Sequence, residues 1–426
     1  MKLVVEKTEK LEGEITIPGS KSHTIRAVII ASLAEGTSKI LNPLKSEDTI
    51  AAINACKALG ANINTDNEKE WIVNGFNHQP NAPAEILNLA NSGTSLRLIS
   101  GIIAALCDSE VELDGDESLR TRPIQPLLKS FNELGAEALS VKNNGYCPIK
   151  IKGKMSGGST EIVGLTSQYV SSLLLACPLL EQDSKITVLK PNEVPYIEMT
   201  LKWLDEQGIK YESSKDFTQF KVFGNQRYKA FEKTIPADWS SAAFPLVASA
   251  ILPSNVLIKG LDPNDVQGDK AIIDYMKKMG ADISIENNGI RIKGKELQGC
   301  ELDINSTPDA LPSLAVLGCF ANGTTTLVNV AQARVKETDR IKVMTEELSR
   351  MNADIKEREE GLIIHKSHLK GTKVRGHADH RIVMALSLAG MIAEGKTEIT
   401  TAESINVTYP TYVGSMKTLG AKMEVV

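Results

Sequence analysis

Two hydrophobic patterns alternate along the chain, and each occurs six times. In the first pattern, a polar turn containing Ser or Asp leads into a stretch that is apolar nearly all round, which predicts a buried helix. The six stretches are residues 20–34, 91–106, 166–180, 238–252, 307–321 and 379–393. Each is followed by a short run in which apolar and polar residues alternate, as in a half-buried strand.

The second pattern predicts amphipathic helices that end at about 70-residue intervals. Each run ends at a residue that readily takes the left-handed conformation after a helix. These residues are Gly60, Gly135, Gly208, Gly280, Asn352 and Gly420. Each repeat therefore holds one buried helix, one amphipathic helix and several strands. Six repeats in 426 residues predict two α/β domains of three repeats, with helices inside and sheets outside. An open solenoid is the alternative.

Composition and charge exclude several kinds of protein. The formal net charge of −5 argues against general nucleic-acid binding, which depends on many Lys and Arg residues. Six scattered cysteines without a C-x-x-C pair indicate reduced thiols. No stretch has the apolar length of a signal peptide or a membrane span, so a cytoplasmic protein without a membrane partner is expected. His377 and His380 lack a second ligand pair at zinc-site spacing, so no metal is expected.

The polar turns in the first half of the chain carry cations and small polar residues. Lys21 and Ser22 begin the first buried helix and Arg26 lies one turn inside it, where helix N-terminal amides favour a phosphate. An ordinary helix cap would explain this turn equally well. Gly93 allows a ligand to approach the backbone, and Arg122 offers a planar fork for carboxylate or phosphate. These turns suit small anions.

The turns in the second half add carboxylates. Asp309 precedes the fifth buried helix. Lys336, Glu337 and Arg340 would share one side if their segment were helical. A solvent-exposed, charged helix face is the alternative interpretation of this segment. The sixth turn, however, also carries a cation, Arg381, next to a buried helix. Because the chain is acidic overall and basic at these turns, small polyanions are the favoured ligands.

Eight segments occur in the order and rough spacing of the motifs of one family, and through them the chain resembles the 3-phosphoshikimate 1-carboxyvinyltransferases (EPSP synthases). The segments are PGSKSHTIR, NSGTSLRL, LRTRPI, TSQYVSSLL, PADWSSAAF, TPDA, RVKETDR and ADHRIVM. The resemblance implies transfer of the enolpyruvyl group of phosphoenolpyruvate to the 5-hydroxyl of shikimate 3-phosphate. Phosphate is the second product. This reaction belongs to the shikimate pathway towards chorismate and aromatic amino acids, and it is the target of glyphosate.

The resemblance also implies a two-domain enolpyruvyl transferase fold of six βαβαββ repeats. The N-terminal domain would comprise residues 19–235, and the C-terminal domain residues 1–18 plus 236–426, with the active site in the cleft between them. No cofactor is expected, and the protein is expected to be a monomer.

Roles follow from the resemblance residue by residue. Asp309 matches the base, and Glu337, assisted by Lys21, matches the acid. The residues matched to shikimate 3-phosphate are Lys21, Ser22, Arg26, Thr166, Ser167, Gln168, Asp309, Gln332 and Lys336. Those matched to phosphoenolpyruvate are Lys21, Gly93, Arg122, Gln168, Arg340, His380 and Arg381. Two departures are Glu193, where Ser is common, and Val407, where some members have Lys.

Three other functions fit parts of the pattern. An enolpyruvyl transferase acting on a nucleotide sugar would share the fold, but its Asn-containing opening and loop Cys are not evident here. An RNA-terminal phosphate cyclase uses related repeats, but the acidic charge and the 4% aromatic content disfavour RNA. A non-catalytic anion-binding protein would not need both Asp309 and Glu337.

Overall fold

The computed structural model describes all 426 residues, with twelve α-helices, twenty-four strands and several short 3-10 turns. The α-helices are α1 (Lys21–Leu33), α2 (Glu47–Ala58), α3 (Gly93–Leu106), α4 (Gln125–Glu133), α5 (Ser167–Ala176), α6 (Val194–Gln207), α7 (Trp239–Ile251), α8 (Ile272–Lys278), α9 (Leu311–Phe320), α10 (Arg340–Arg350), α11 (His380–Ile392) and α12 (Tyr412–Thr418).

The strands, in chain order, are β1 (Lys2–Glu6), β2 (Leu11–Thr16), β3 (Thr37–Leu41), β4 (Asn62–Asn67), β5 (Glu70–Asn74), β6 (Leu87–Asn88), β7 (Val111–Asp114), β8 (Glu137–Ser140), β9 (Ile149–Lys152), β10 (Gly158–Val163), β11 (Ser184–Leu189), β12 (Tyr211–Ser213), β13 (Gln219–Val222), β14 (Glu232–Thr234), β15 (Ser254–Lys259), β16 (Asp282–Glu286), β17 (Gly289–Lys293), β18 (Glu301–Asp303), β19 (Thr324–Val328), β20 (Asp354–Arg358), β21 (Gly361–His365), β22 (Lys373–Val374), β23 (Lys396–Thr400) and β24 (Met423–Val425).

The chain divides into two compact units. The N unit is Gly19–Pro236, and the C unit is Met1–Pro18 together with Ala237–Val426. The boundaries predicted from the sequence differ from this division only at Pro236, which the prediction placed in the C-terminal domain. The Pro236 carbonyl accepts a hydrogen bond from the Ser20 amide, 2.8 Å away, at the start of the N unit.

Each unit contains three four-stranded sheets with one shared strand order. In the N unit the orders are β14-β3-β5-β4, β6-β7-β9-β8 and β10-β11-β13-β12. In the C unit they are β16-β17-β15-β2, β18-β19-β21-β20 and β22-β23-β1-β24. Every sheet has one parallel pair, such as β10 with β11, and antiparallel pairs besides. A parallel pair needs a crossover connection, and helix α5 supplies it between β10 and β11.

Helices that are apolar all round form the interior of each unit. In the C unit, α7, α9 and α11 pack against one another, and every residue of α7 is buried. In the N unit, α3 packs against both α1 and α5. A methyl group at Gly101 of α3 would overlap Ser172 of α5, so glycine permits this close approach. The predicted buried helices are therefore confirmed. No helix has both the length and the apolarity to span a membrane.

The predicted ends of the amphipathic helices are also confirmed. All six marker residues have positive φ angles, from 70° at Gly208 to 112° at Gly135, and Asn352 has a φ of 71°. A side chain at such an angle is strained unless it is small or can bond locally, which explains Gly at five positions and Asn at the sixth.

The segment before α10 is not the helix in which Lys336, Glu337 and Arg340 would share one side. Residues 331–335 form a 3-10 turn and α10 begins only at Arg340, so Lys336 and Glu337 are not helical. Asp339 ends the irregular stretch because its side chain accepts a hydrogen bond from the Lys342 amide at 3.0 Å and caps the helix. Glu337 nevertheless reaches Arg340 from the preceding loop.

The β16–β17 hairpin contains a buried and an exposed isoleucine, and we expect their truncation to change the free energy of unfolding by different amounts. Ile292 is fully buried and Ile285 on the paired strand is 56% exposed. Ile292→Ala should lower the free energy of unfolding by about 2 to 5 kcal/mol, because it removes buried methylenes and leaves a cavity. Ile285→Ala, the matched control, should change it by less than about 0.5 kcal/mol. Urea denaturation of both variants measures this difference, and equal losses would contradict the assigned burial.

Candidate active site

A fully buried guanidinium, that of Arg340, organises the charged residues of the C unit. Its Nη1 donates to Asp309 Oδ1 at 2.8 Å, and its Nη2 donates to Glu337 Oε2 at 2.5 Å. Its Nε donates to Asp379 Oδ2 at 2.9 Å. Because a buried charge is costly unless it is paired and hydrogen-bonded, these three carboxylates are what allows Arg340 to be buried.

The starts of all three buried helices of the C unit meet at Asp309. This residue lies in the 3-10 turn before α9, and its Oδ2 is 2.9 Å from Nη2 of Arg381 in the first turn of α11. The same Arg381 nitrogen donates to the hydroxyl of Ser240 in the first turn of α7. Asp379 caps α11 by accepting from the Arg381 amide at 2.9 Å. Asp309 and Asp379, together with the guanidinium groups of Arg340 and Arg381, therefore connect the starts of α7, α9 and α11.

These contacts shift the ionisation of the buried acids. Burial favours the neutral form of Asp309 and is the largest single influence on its pKa. The positive charges of Arg381, Lys336 and Arg340 together outweigh burial, so the pKa of Asp309 lies well below its ordinary range. Burial also opposes ionisation of Asp379, but Arg340 lowers the pKa of this carboxyl below its usual value. Both acids are therefore carboxylates at neutral pH.

The starts of the buried helices are linked in the N unit as well. Arg97 of α3 donates through Nη1 to Gln168 Oε1 of α5 at 2.7 Å, and Gln168 Nε2 donates back to Thr94 Oγ1 at 3.1 Å. Arg26 of α1 donates through Nη2 to Ser171 Oγ of α5 at 3.2 Å. Polar side chains at or near the starts of α1, α3 and α5 are therefore in contact within the N unit.

Arg26 is buried with neutral partners. Besides Ser171, its guanidinium donates to Thr200 Oγ1 at 3.0 Å and to the carbonyl oxygens of Ser22 and Tyr196 at 3.1 and 3.3 Å. Burial lowers the pKa of Arg26 to about 10, against a smaller opposing effect of Tyr196. A buried cation held only by neutral groups can gain much from an anionic ligand.

Lys21 is held by an acid that the sequence did not single out. Its ammonium group lies 2.9 Å from Asp48 Oδ2, and the two side chains are 14% and 4% exposed. The Asp48 carbonyl accepts from the hydroxyl of Ser95 in α3 at 3.3 Å. Asp48 thus connects the starts of α2 and α3 and fixes the direction of the Lys21 side chain.

Gly93 faces two arginine side chains at the start of α3. A Cβ atom built on Gly93 would lie 2.5 Å from Arg97 Nη1 and 3.1 Å from Arg122 Nη1. Arg122 is 5% exposed and donates through Nη2 to Asn91 Oδ1 at 2.7 Å. Gly93 has no positive φ, so the closeness of the two guanidinium groups, rather than backbone freedom, explains the glycine.

Three donors in the N unit converge on one carboxylate oxygen. Glu193 Oε2 accepts from the hydroxyl of Thr166 at 3.0 Å, from the Ser167 amide at 3.1 Å and from the Ser167 hydroxyl at 2.8 Å. Glu193 is 2% exposed. Thr166 caps α5, so the carboxylate sits at a helix N-terminus that favours negative charge.

The remaining predicted residues of the C unit lie beside the Arg340 cluster. The 3-10 turn that carries Gln332 packs against the turn of Asp309, and Gln332 Nε2 donates to the Asn305 carbonyl at 2.8 Å. His380 is buried, with Nδ1 3.9 Å from Asp379 Oδ1. No group of three or more His, Cys, Asp or Glu side chains is placed to hold a metal ion.

Comparisons with known proteins match the whole chain to one family. A family model described as EPSP synthase (3-phosphoshikimate 1-carboxyvinyltransferase) matches residues 5–416. The chain is 51% identical over 422 residues to a 3-phosphoshikimate 1-carboxyvinyltransferase of Acetivibrio thermocellus, covering 99% of each protein. It is 49% identical over 427 residues to that of Ruminiclostridium cellulolyticum, covering 100% of both. The chain belongs to the EPSP synthase family.

Solved structures agree with this membership. An EPSP synthase from Acinetobacter baumannii matches with a TM-score of 0.85 at 29% identity, over 100% of this chain and 99% of that one. The family resemblance and the α/β fold predicted from the sequence are therefore confirmed. Val407, noted in the sequence as a departure from the family pattern, is buried.

Sequence reasoning missed three carboxylates of these clusters as site residues. Asp48 resembles an ordinary acidic residue in a first helical turn, so no signal marked it. Asp379 stood inside the ADHRIVM motif, directly before His380, and that position was a usable signal. Glu193 was noted as a departure from the family pattern, but its contacts with Thr166 and Ser167 depend on folding.

We expect the C unit to lose stability in acid through the Arg340 cluster. The folded pKa values of Asp309 and Asp379 lie below the ordinary value of 3.8. Their stabilisation is therefore present above pH 3.8 and is lost as the pH falls through that value and below it. Urea denaturation between about pH 5 and pH 2 should show a falling free energy of unfolding, and a shallower fall in Asp309→Asn. In the control Asp282→Asn, at an exposed strand position, the free energy of unfolding should fall with pH as it does in the unmodified protein. The same dependence on pH in all three proteins would refute the assignment.

Proposed function

We propose that this chain transfers the enolpyruvyl group of phosphoenolpyruvate to the 5-hydroxyl of shikimate 3-phosphate, releasing phosphate. Membership of the EPSP synthase family and the names of relatives at about 50% identity support the reaction. The proposal includes action in the shikimate pathway, in the cytoplasm, as a monomer without a cofactor and without nucleic-acid or membrane partners.

One observation carries the catalytic part of the proposal: Asp309 and Glu337 are both bound to Arg340, at 2.8 and 2.5 Å. The reaction needs a base for the attacking hydroxyl and an acid for the methylene carbon of phosphoenolpyruvate. Two carboxylates fixed on one guanidinium group supply a matched pair of such groups. A protein that only binds anions would gain nothing from two carboxylates beside its cations, because they repel the ligand.

In the proposed mechanism, Asp309 accepts the proton of the 5-hydroxyl as its oxygen attacks C2 of phosphoenolpyruvate. Glu337, with Lys21, delivers a proton to C3, which becomes a methyl group. Phosphate then leaves C2 and a proton leaves the methyl group, which restores the enol ether. Arg340 and Arg381 stabilise the negative charge that develops on the substrate.

Glu337 must be protonated before it can act as an acid. Its ion pair with Arg340 favours the carboxylate form. We propose that the anionic groups of phosphoenolpyruvate compete for the guanidinium and weaken this pair, so that Glu337 takes up a proton when the substrate is bound. Arg340 would then contact phosphoenolpyruvate by sharing donors that its own carboxylates occupy in the free protein.

The residues of the N unit are proposed to hold the substrates. Arg26 and Lys21 suit shikimate 3-phosphate, because Arg26 is a buried cation with only neutral partners. Gly93, Arg122 and Gln168 suit phosphoenolpyruvate, because two guanidinium groups flank Gly93. We propose that residues of both units take part in the reaction.

The reaction is tested by measuring phosphate release from phosphoenolpyruvate and shikimate 3-phosphate in metal-free buffer. We expect release that requires both substrates, and formation of 5-enolpyruvylshikimate 3-phosphate detected by mass spectrometry. Release with UDP-N-acetylglucosamine in place of shikimate 3-phosphate would instead support the nucleotide-sugar alternative.

Removing the proposed base should affect turnover more than binding. Asp309→Ala should lower kcat by about 10²-fold or more, since a positioned proton-transfer group contributes 10² to 10⁴. The Kd for shikimate 3-phosphate, measured by calorimetry, should change much less. Asp282→Ala, which removes an exposed carboxylate of the same unit, is the control. Near-normal turnover of folded Asp309→Ala would exclude the base role.

Gly93→Ala should discriminate between phosphoenolpyruvate and the inhibitor glyphosate. The added methyl group meets Arg97 Nη1 at 2.5 Å, so this guanidinium group, next to the proposed phosphoenolpyruvate site, must shift. Overpacking costs about 1 to 3 kcal/mol, and the longer ligand should bear more of it. We expect the inhibition constant of glyphosate to rise more than the KM of phosphoenolpyruvate.

The control for Gly93→Ala is Gly414→Ala, whose added methyl group would meet no atom within 4 Å. It should leave both constants unchanged. A Gly93→Ala protein with a lower melting temperature but an unaltered ratio of the two constants would show that Gly93 serves the fold and not the site.

A further inference from the structure

The Glu193 carboxylate is bound by two residues, Thr166 and Ser167, that the family resemblance matches to shikimate 3-phosphate. The Thr166 hydroxyl and the amide and hydroxyl of Ser167 all donate to its Oε2, at 2.8 to 3.1 Å. These are two of the residues matched to that substrate. A phosphate oxygen and a carboxylate oxygen make the same demand on donors, so the two groups cannot use these three donors together.

The position of Glu193 is fixed by the backbone as well as by its contacts. Glu193 has φ 54° and ψ 40°, the left-handed region, directly before α6. A residue with a side chain is strained there. Its carbonyl accepts from the Tyr196 amide at 2.9 Å, and the Tyr196 carbonyl accepts from Arg26 at 3.3 Å. The carboxylate is therefore held at the phosphate donors by the same turn that contacts Arg26.

We propose that Glu193 is an internal competitor for the phosphate of shikimate 3-phosphate. In the free protein its carboxylate satisfies the buried donors of Thr166 and Ser167. When the substrate binds, the carboxylate leaves these donors to the phosphate group. This inference rests on the proposed function, and it assigns to Glu193 a role that the Ser of other family members cannot have.

Two costs of binding follow from this competition. The substrate must displace a charge-assisted hydrogen-bond acceptor, and it brings a phosphate with close to two negative charges beside a carboxylate. The apparent affinity is reduced by the fraction of protein in which the donors are occupied by Glu193. Shikimate 3-phosphate can offset these costs through its other proposed contacts, such as the one with Arg26. Inorganic phosphate has fewer contacts to offset them. Glu193 would thereby favour the whole substrate over inorganic phosphate.

Calorimetric titration with shikimate 3-phosphate tests the competition in Glu193→Gln and Glu193→Ser. Gln keeps the shape but offers a neutral, weaker acceptor, and Ser removes the competing group. Both variants should bind shikimate 3-phosphate at least about tenfold more tightly than the unmodified protein. Shikimate, which lacks the phosphate, should bind all three proteins equally. Glu198→Gln removes the same charge from an exposed position of α6 and should bind both ligands like the unmodified protein.

A crystal structure of the unmodified protein with shikimate 3-phosphate provides a second test that does not depend on the variants folding. The Glu193 carboxylate should have left Thr166 and Ser167, with a phosphate oxygen in its place. Retention of the carboxylate on these donors, or variants that bind shikimate 3-phosphate no more tightly, would overturn the inference alone. An unmodified protein that neither binds shikimate 3-phosphate nor releases phosphate would overturn the proposed function and this inference with it.

Discussion

A helix that is apolar on every side can present polar groups only at its ends, and six such helices form the interior of this protein. Their first turns have unpaired backbone N–H groups that must be satisfied inside the fold. Side chains of Ser20, Ser92, Thr166, Asp238 and Asp379 accept hydrogen bonds from these groups. Most of the buried polar groups described above therefore lie at or near the turns where the three buried helices of each unit begin.

The two fully buried arginines, Arg26 and Arg340, have different kinds of hydrogen-bond partner near the starts of the buried helices. Arg340 donates to three carboxylates, which raise its pKa in spite of burial. Arg26 has hydroxyl and carbonyl partners only, and burial lowers its pKa to about 10. In the free protein, Arg340 therefore holds three carboxylates together, whereas Arg26 has no anionic partner. In the proposed reaction the first suits catalysis and the second suits substrate binding.

Much of the fold could be predicted from the sequence because its determinants are local. Apolar periodicity and the left-handed residues after each amphipathic helix depend on neighbours within a few turns. The pairing of Asp48 with Lys21, and of Glu193 with Thr166 and Ser167, joins residues 26 to 27 positions apart, so no local pattern revealed it. Glu337 lies outside α10 for a local reason, because Asp339 caps the helix that begins at Arg340.

The low pKa of Asp309 bears on its proposed role as a base. A carboxylate held by Arg381, Lys336 and Arg340 is a weak base while those charges are uncompensated. Phosphoenolpyruvate brings a carboxylate and a phosphate that would compensate the same cations. With those charges compensated, the effect of burial would no longer be outweighed, so the carboxylate of Asp309 would hold the hydroxyl proton more readily when both substrates are present. The cations that keep Asp309 ionised in the free protein would thus prevent it from acting as a base until both substrates are bound.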